Sequence, residues 1–186
     1  MSGFVQWLQQ LDFSSVYETL LIVVASLVCI TVHETSHGLV AYWLGDPTAK
    51  QAGRLSWNPI RHIDPVGLIM MAILKFGWAK PVPVDMRYFR HPKRGMALTA
   101  LAGPMSNVIL AYVVLLLRSI LLFLTLQHTN QWLNFGILFL EYTAIISAGL
   151  AIFNLIPISP LDGSKILLAI LPDDTYFKLM QYERYG

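Results

Sequence analysis

The sequence predicts an α-helical polytopic membrane protein: three long transmembrane helices, a short re-entrant or β-containing segment, and a broken helix carrying Asp162. Three observations predict it. Of 186 residues, 55% are hydrophobic and only 13% charged, against roughly 25% charged in a typical soluble domain. Three long, mainly apolar stretches lie at about 16–44, 92–126 and 132–154, each long enough to cross a hydrocarbon core of ~30 Å. Nine of the thirteen Lys and Arg fall between 45 and 95, and none in 1–16 or 127–131.

The length allows one domain, and 1–186 is read as a single membrane-embedded unit. The formal net charge of +2 gives no reason to expect a nucleic-acid partner. The one cysteine, Cys29, excludes an intramolecular disulfide and a cysteine-based metal cluster. The N-terminus lacks a basic region and a cleavage site, so it is not read as a signal peptide. Phe4, Leu8 and Leu11 are spaced to form an apolar face, which predicts a short interfacial helix.

Ser15-Val16-Tyr17-Glu18 has the form of a capping box, placing the start of the first helix at about 16. Gly45-Asp46-Pro47 stops it. The resulting helix is ~43 Å long at ~1.5 Å per residue, more than the bilayer core needs. Residues 45–95 hold six of the ten prolines, which predicts turns and extended pieces. Within them Val66–Phe76 is apolar but too short to span, and reads as re-entrant. Lys80-Pro81-Val82-Pro83-Val84 cannot be a central strand, because proline has no N–H. A second helix runs from Pro92 to about Leu126, with a kink expected at Gly103-Pro104. A third runs from Trp132 to about Asn154. Pro157, Pro160 and Gly163 then break regular structure before a short apolar piece, Ile166–Leu171. The excess of Lys and Arg assigns 45–95 and the C-terminal tail to the cytoplasmic side.

The chemistry is concentrated in His33-Glu34-Thr35-Ser36-His37, an H-E-x-x-H pattern. Residues i and i+4 share a helix face, so both imidazoles can reach one metal, with Glu34 beside them to take a proton from water. Two histidines on a solvated face are the bland alternative. It is weak here, because three polar groups in one turn of a spanning helix are costly and usually functional. A catalytic zinc site takes three protein ligands and keeps one position open. Val40 and Trp43 stand where the glycine and the third histidine of the longer H-E-x-x-H-x-x-G-x-x-H pattern would be.

Glu141 and Asp162 are the further candidates within apolar sequence, with His62 and Asp64 in the basic loop. Depth favours Asp162. The histidines lie 11 and 7 residues before Leu44, toward the cytoplasmic end, whereas Glu141 is nine residues in from the opposite side. At that level Glu141 faces Arg118 across antiparallel helices, and the two are expected to pair structurally unless Arg118 snorkels outward. Asn107 falls near the depth of His33, either bonding a ligand or substrate or packing as a helix-contact amide. Asn154 raises the same alternatives near Asp162.

H-E-x-x-H in a spanning helix, Gly103-Pro104-Met105-Ser106-Asn107, and the run from Asn154 through Pro157 and Leu161 to Asp162-Gly163 together resemble the site-2 protease family. Gly53 to Pro65 and Trp78 to Asp85 resemble its compact prokaryotic members, without PDZ or CBS domains. The resemblance covers about 31–170. It implies one Zn2+ per chain on His33, His37 and Asp162, Glu34 as acid and base, and support or substrate contacts from Asn154. It also implies a small β element from 45–90 dipping into the membrane. Relatives usually continue into a further apolar helix, so a truncated form is the expectation for a chain stopping at Gly186.

The implied activity is regulated intramembrane proteolysis: cleavage of a peptide bond within or near a transmembrane segment of a membrane-protein substrate. The implied location is a prokaryotic cell (inner) membrane, with the site toward the cytoplasm. Residues 80–86 offer an edge for an unwound substrate. Two rivals remain in view. A non-proteolytic zinc transporter or sensor would use the same histidines but gains little from Glu34. A scaffold for other membrane helices would bind no metal.

Overall fold

The computed structural model describes residues 13–74, 80–125, 130–172 and 175. The interfacial helix expected around Phe4–Leu11 lies outside them. Three long helices dominate: α1 (Phe13–Trp43), α4 (Pro92–Leu124) and α5 (Gln131–Asn154). All three are long and apolar enough to cross a membrane. Between α1 and α4 come the short helices α2 (Thr48–Gln51) and α3 (Pro65–Leu74), with 3-10 turns at Pro59–Arg61 and Met86–Tyr88. The last described helix, α6 (Asp162–Leu168), follows α5.

The helices pack by small residues. Ala25, Cys29, Ala41, Ala100, Ala111, Ala144, Ser147 and Ala151 are buried, while Phe123 and Ile152 are 74% and 69% exposed. This inverts a water-soluble bundle. With lipid as apolar as leucine, close backbone approach and polar contacts hold helices together, and large apolar side chains face outward. α4 is the hub, packing on α5, α1 and α6, and α1 also meets α5.

Several boundaries differ from expectation. The described part of α1 starts at Phe13, so the helix already includes Ser15. α4 is one continuous helix that carries Pro104 inside it, where the proline is fully buried. α5 starts one residue early because Asn130 caps it, its Oδ1 accepting from the Leu133 N–H at 2.8 Å.

The β element implied for 45–90 is absent among the described residues. That region holds short helices, one isolated bridge at Ile63, and an extended piece from 80 to 85. Pro81 and Pro83 remove the alternate N–H groups that a strand ladder needs. The re-entrant reading of the apolar segment takes the form of α3. At ten residues it measures ~15 Å, half a bilayer core. Asp64 caps α3, its Oδ1 accepting from Val66 and Gly67 N–H at 3.0 Å each.

The broken helix also takes a definite form. After α5, the chain turns through Leu155–Leu161, with a cis bond at Ser159–Pro160. α6 then begins at Asp162, four residues before the apolar piece expected from sequence. This places Asp162 in a first helical turn, where a negative charge is favoured by the free N–H groups.

Candidate active site

The motif histidines sit one turn apart on α1, with ring centroids 4.6 Å apart and planes at 86°. Asp162 is brought to them from α6. Its Oδ2 lies 3.1 Å from Nε2 of His33 and 3.1 Å from Nε2 of His37. One ligand atom from each of the three residues falls within 4.8 Å of the others. All three residues are buried, at 6%, 8% and 8% exposure. Lys165, one turn along α6, lies 3.9 Å from Asp162 Oδ1.

The rings are fixed from behind by α4. Nδ1 of His37 donates to the Thr99 carbonyl at 2.6 Å. Nδ1 of His33 faces Nδ2 of Asn107 at 3.2 Å. Asn107 is fully buried, and its Oδ1 has no partner among the described residues. Its backbone carbonyl accepts from Ser147 Oγ at 2.9 Å, tying α5 into the same level. Gly103 permits this approach: a Cβ there would overlap both imidazoles, coming within 2.7 Å of His33 Cε1. Gly163 does the same for α6, since a Cβ would strike the carbonyls of Leu155 and Ile156.

Glu34 meets a different part of the chain. Its Oε2 accepts from the Val82 N–H at 2.9 Å. Val82 belongs to the extended 80–85 piece, which is anchored on either side. Lys80 N–H donates to the His62 carbonyl at 3.0 Å, and Asp85 N–H to Asp46 Oδ2 at 2.7 Å. Asp46 is fully buried. The exposed guanidinium of Arg87 hydrogen-bonds the half-buried Asp85 carboxyl and holds it below its usual range. Gly38, one turn after Glu34, leaves room for the segment: a Cβ there would meet Val82 Cγ1 at 3.2 Å. Thr35 and His62 complete the support. Thr35 Oγ1 donates to the Ser56 carbonyl at 3.0 Å, and His62 Nε2 to the same carbonyl at 2.8 Å.

The other sequence candidates fall away from the cluster. Glu141 accepts from Arg118 at 2.9 Å, the structural pair expected from depth. His62 and Asp64 serve the loop as described. Asn154 is half-buried and donates to the Leu150 carbonyl of its own helix at 2.9 Å. The sequence reading missed three partners: Thr99 O, Val82 N–H and the space at Gly103. Two are backbone groups, which carry no residue-type signal. Gly103 stood in a motif, but only packing shows which side chains it makes room for.

The donor set fits a metal cation. His37 donates through Nδ1, so a neutral ring leaves an unprotonated Nε2 facing a carboxylate oxygen at 3.1 Å. Two lone pairs at that distance repel unless a cation lies between them. Two imidazoles and a carboxylate are a borderline-to-hard donor set suited to zinc.

Comparison with known proteins agrees. The profile of peptidase family M50 matches residues 125–177. YwhC of Bacillus subtilis, which carries the name of a candidate zinc metalloprotease, is 38% identical over 179 residues, covering 89% of this chain and 75% of that protein. Rip2 of Mycobacterium tuberculosis, named in the same way, is 30% identical over 198 residues, covering all of this chain and 72% of that protein. Rip2 of Mycolicibacterium smegmatis is 30% identical over 172 residues, covering 90% of this chain and 63% of that protein. No solved structure matches. The chain belongs to peptidase family M50, the site-2 proteases.

Proposed function

We propose that this intramembrane protease binds one zinc ion per chain through His33, His37 and Asp162, with Glu34 as its general base. The observation that carries the reading is the convergence of both Nε2 atoms on one Asp162 oxygen, on the helix turn that also bears Glu34. Zinc, when bound, supplies Lewis acidity for the scissile carbonyl and lowers the pKa of water. Glu34 takes the proton from that water and returns it to the leaving amine. Thr99 and Asn107 hold the rings so that Nε2 of each points inward. For His33 this requires the Asn107 amide to turn end for end, so that Oδ1 accepts the Nδ1 proton. Asn154, half-buried just before the broken stretch, is assigned to substrate binding or active-site support.

The substrate is a transmembrane protein segment, unwound locally because helical peptide bonds are shielded by their own hydrogen bonds. The 80–86 segment offers a backbone edge to it, although the Val82 N–H is already committed to Glu34. The nine Lys and Arg between 45 and 95 support a cell-membrane protein whose site opens toward the cytoplasm.

The test is zinc content of the purified protein, paired with cleavage of a transmembrane model substrate by wild type and Glu34→Gln. Stoichiometric zinc in both, with cleavage in the wild type alone, is the expected result. Zinc bound without cleavage by either would favour transport or sensing. Absence of zinc from the wild type would sink the proposal.

A further inference from the structure

We propose that Pro81-Val82-Pro83 is a fixed backbone donor that orients Glu34, with the Val82 N–H as a positioning group. The inference rests on Glu34 being the base, and goes beyond it by naming what aims the carboxylate.

A glutamate on a helix has three rotatable bonds and sweeps a wide arc, whereas a general base must sit within hydrogen-bond reach of the proton it takes. Among the described residues, the Val82 N–H donates to Glu34 Oε2 at 2.9 Å and restrains the carboxylate. With one oxygen held, Oε1 is the oxygen free for a proton. The donor itself is well fixed. Its neighbours are prolines, each with φ locked near −65° and neither with an N–H. Val82 precedes Pro83, which confines it to extended conformations. Val82 therefore carries the one backbone N–H of residues 81–83, and it is spent on Glu34. Lys80 and Asp85 pin the two sides to the His62 carbonyl and to buried Asp46. Val82 Cγ1 also closes on the α1 backbone at Gly38. The segment thus meets α1 at two successive turns, through a hydrogen bond at Glu34 and a packing contact at Gly38.

Val82→Pro removes the N–H and keeps the segment biased toward extended backbone. Kinetics in reconstituted full-length chain are expected to show kcat falling ~10- to 100-fold, the scale for a misplaced catalytic group. KM and zinc content stay near wild type. Val82→Ala restores the N–H and recovers most of the loss. A loss confined to KM would instead make the segment a substrate edge and overturn the proposal. So would an unchanged kcat in Val82→Pro, or equal losses in both variants.

Amide hydrogen exchange gives a second readout that needs no turnover and no Val82 variant. In the wild type the Val82 N–H is expected to be protected, and Glu34→Ala should release it at least ~10-fold while Lys80 and Asp85 keep their protection. Equal exchange at Val82 in wild type and Glu34→Ala overturns the contact, whatever the activity. Failure of the protease reading would appear separately, as missing zinc or missing cleavage with this protection intact.

Discussion

The molecule holds two clusters of ionisable groups packed among its helices, and they differ in how they are closed. Arg118 and Glu141 form a pair of opposite charges, side chains 28% and 43% exposed, joined at 2.9 Å. His33, His37 and Asp162 are nearly sealed, and all point acceptor-capable atoms at one place. The first set is complete, since each charge has its counter-charge. The second gathers lone pairs at one point, an arrangement that a bound cation would complete. Both obey the rule that charge in a membrane finds a partner. The difference lies in whether the partner is another side chain or a ligand.

The comparison breaks most sharply at Asp162. Asp162→Ala removes one of three donors, and the zinc content of the purified protein should fall to near zero, with cleavage lost. Metal analysis checks this directly. Gly103→Ala comes next, because its Cβ has no room beside the two imidazoles. Overpacking of this kind costs ~1–3 kcal/mol, and displaced rings should weaken zinc as well. Thermal unfolding with and without a chelator separates the two effects.

Asn107 sharpens the contrast by orientation. Asn107→Leu should weaken zinc ~10- to 100-fold in chelator competition, the range for loss of a group that holds a ligand. Asn107→Asp should bind far better than Asn107→Leu, because a carboxylate still accepts from the His33 Nδ1–H. If aspartate is as damaging as leucine, the amide donates to His33 and the proposed turn is wrong.

The smallest effect belongs to the other set. Glu141→Leu strands Arg118 and should cost ~1–3 kcal/mol of stability, without altering zinc content. Replacing both residues by leucine should recover most of that loss. Zinc loss in Glu141→Leu would join the two sets and erase the distinction between them.

The site was legible in unequal parts. His33 and His37 could be read from spacing alone, because helical periodicity places i and i+4 on one face whatever the tertiary fold. Asp162 could be favoured over Glu141 by counting depth, since a membrane turns residue number into height. The Arg118–Glu141 pair followed from the same count. Asn154 shows its limit: depth brought it near Asp162, but its amide bonds back to its own helix at Leu150. Asn107 lay at the right level too, and there the rotation of α4 turned it inward to His33. Height is encoded along the chain, whereas the direction a side chain faces depends on which helices pack together.

The sequence by itself determined the membrane class, the three spans, the pairing of His33 and His37 on one helix face, and the level of Asp162. Each follows from local apolar length, helical period or charge distribution. Tertiary structure alone decided that Thr99 and Asn107 back the two imidazoles, that Gly103 gives them space, and that Val82 holds Glu34. The physical reason is that these contacts join residues from 48 to 74 positions apart, and two of the four use backbone atoms that every residue shares. A side-chain pattern cannot announce a partner that has no side chain.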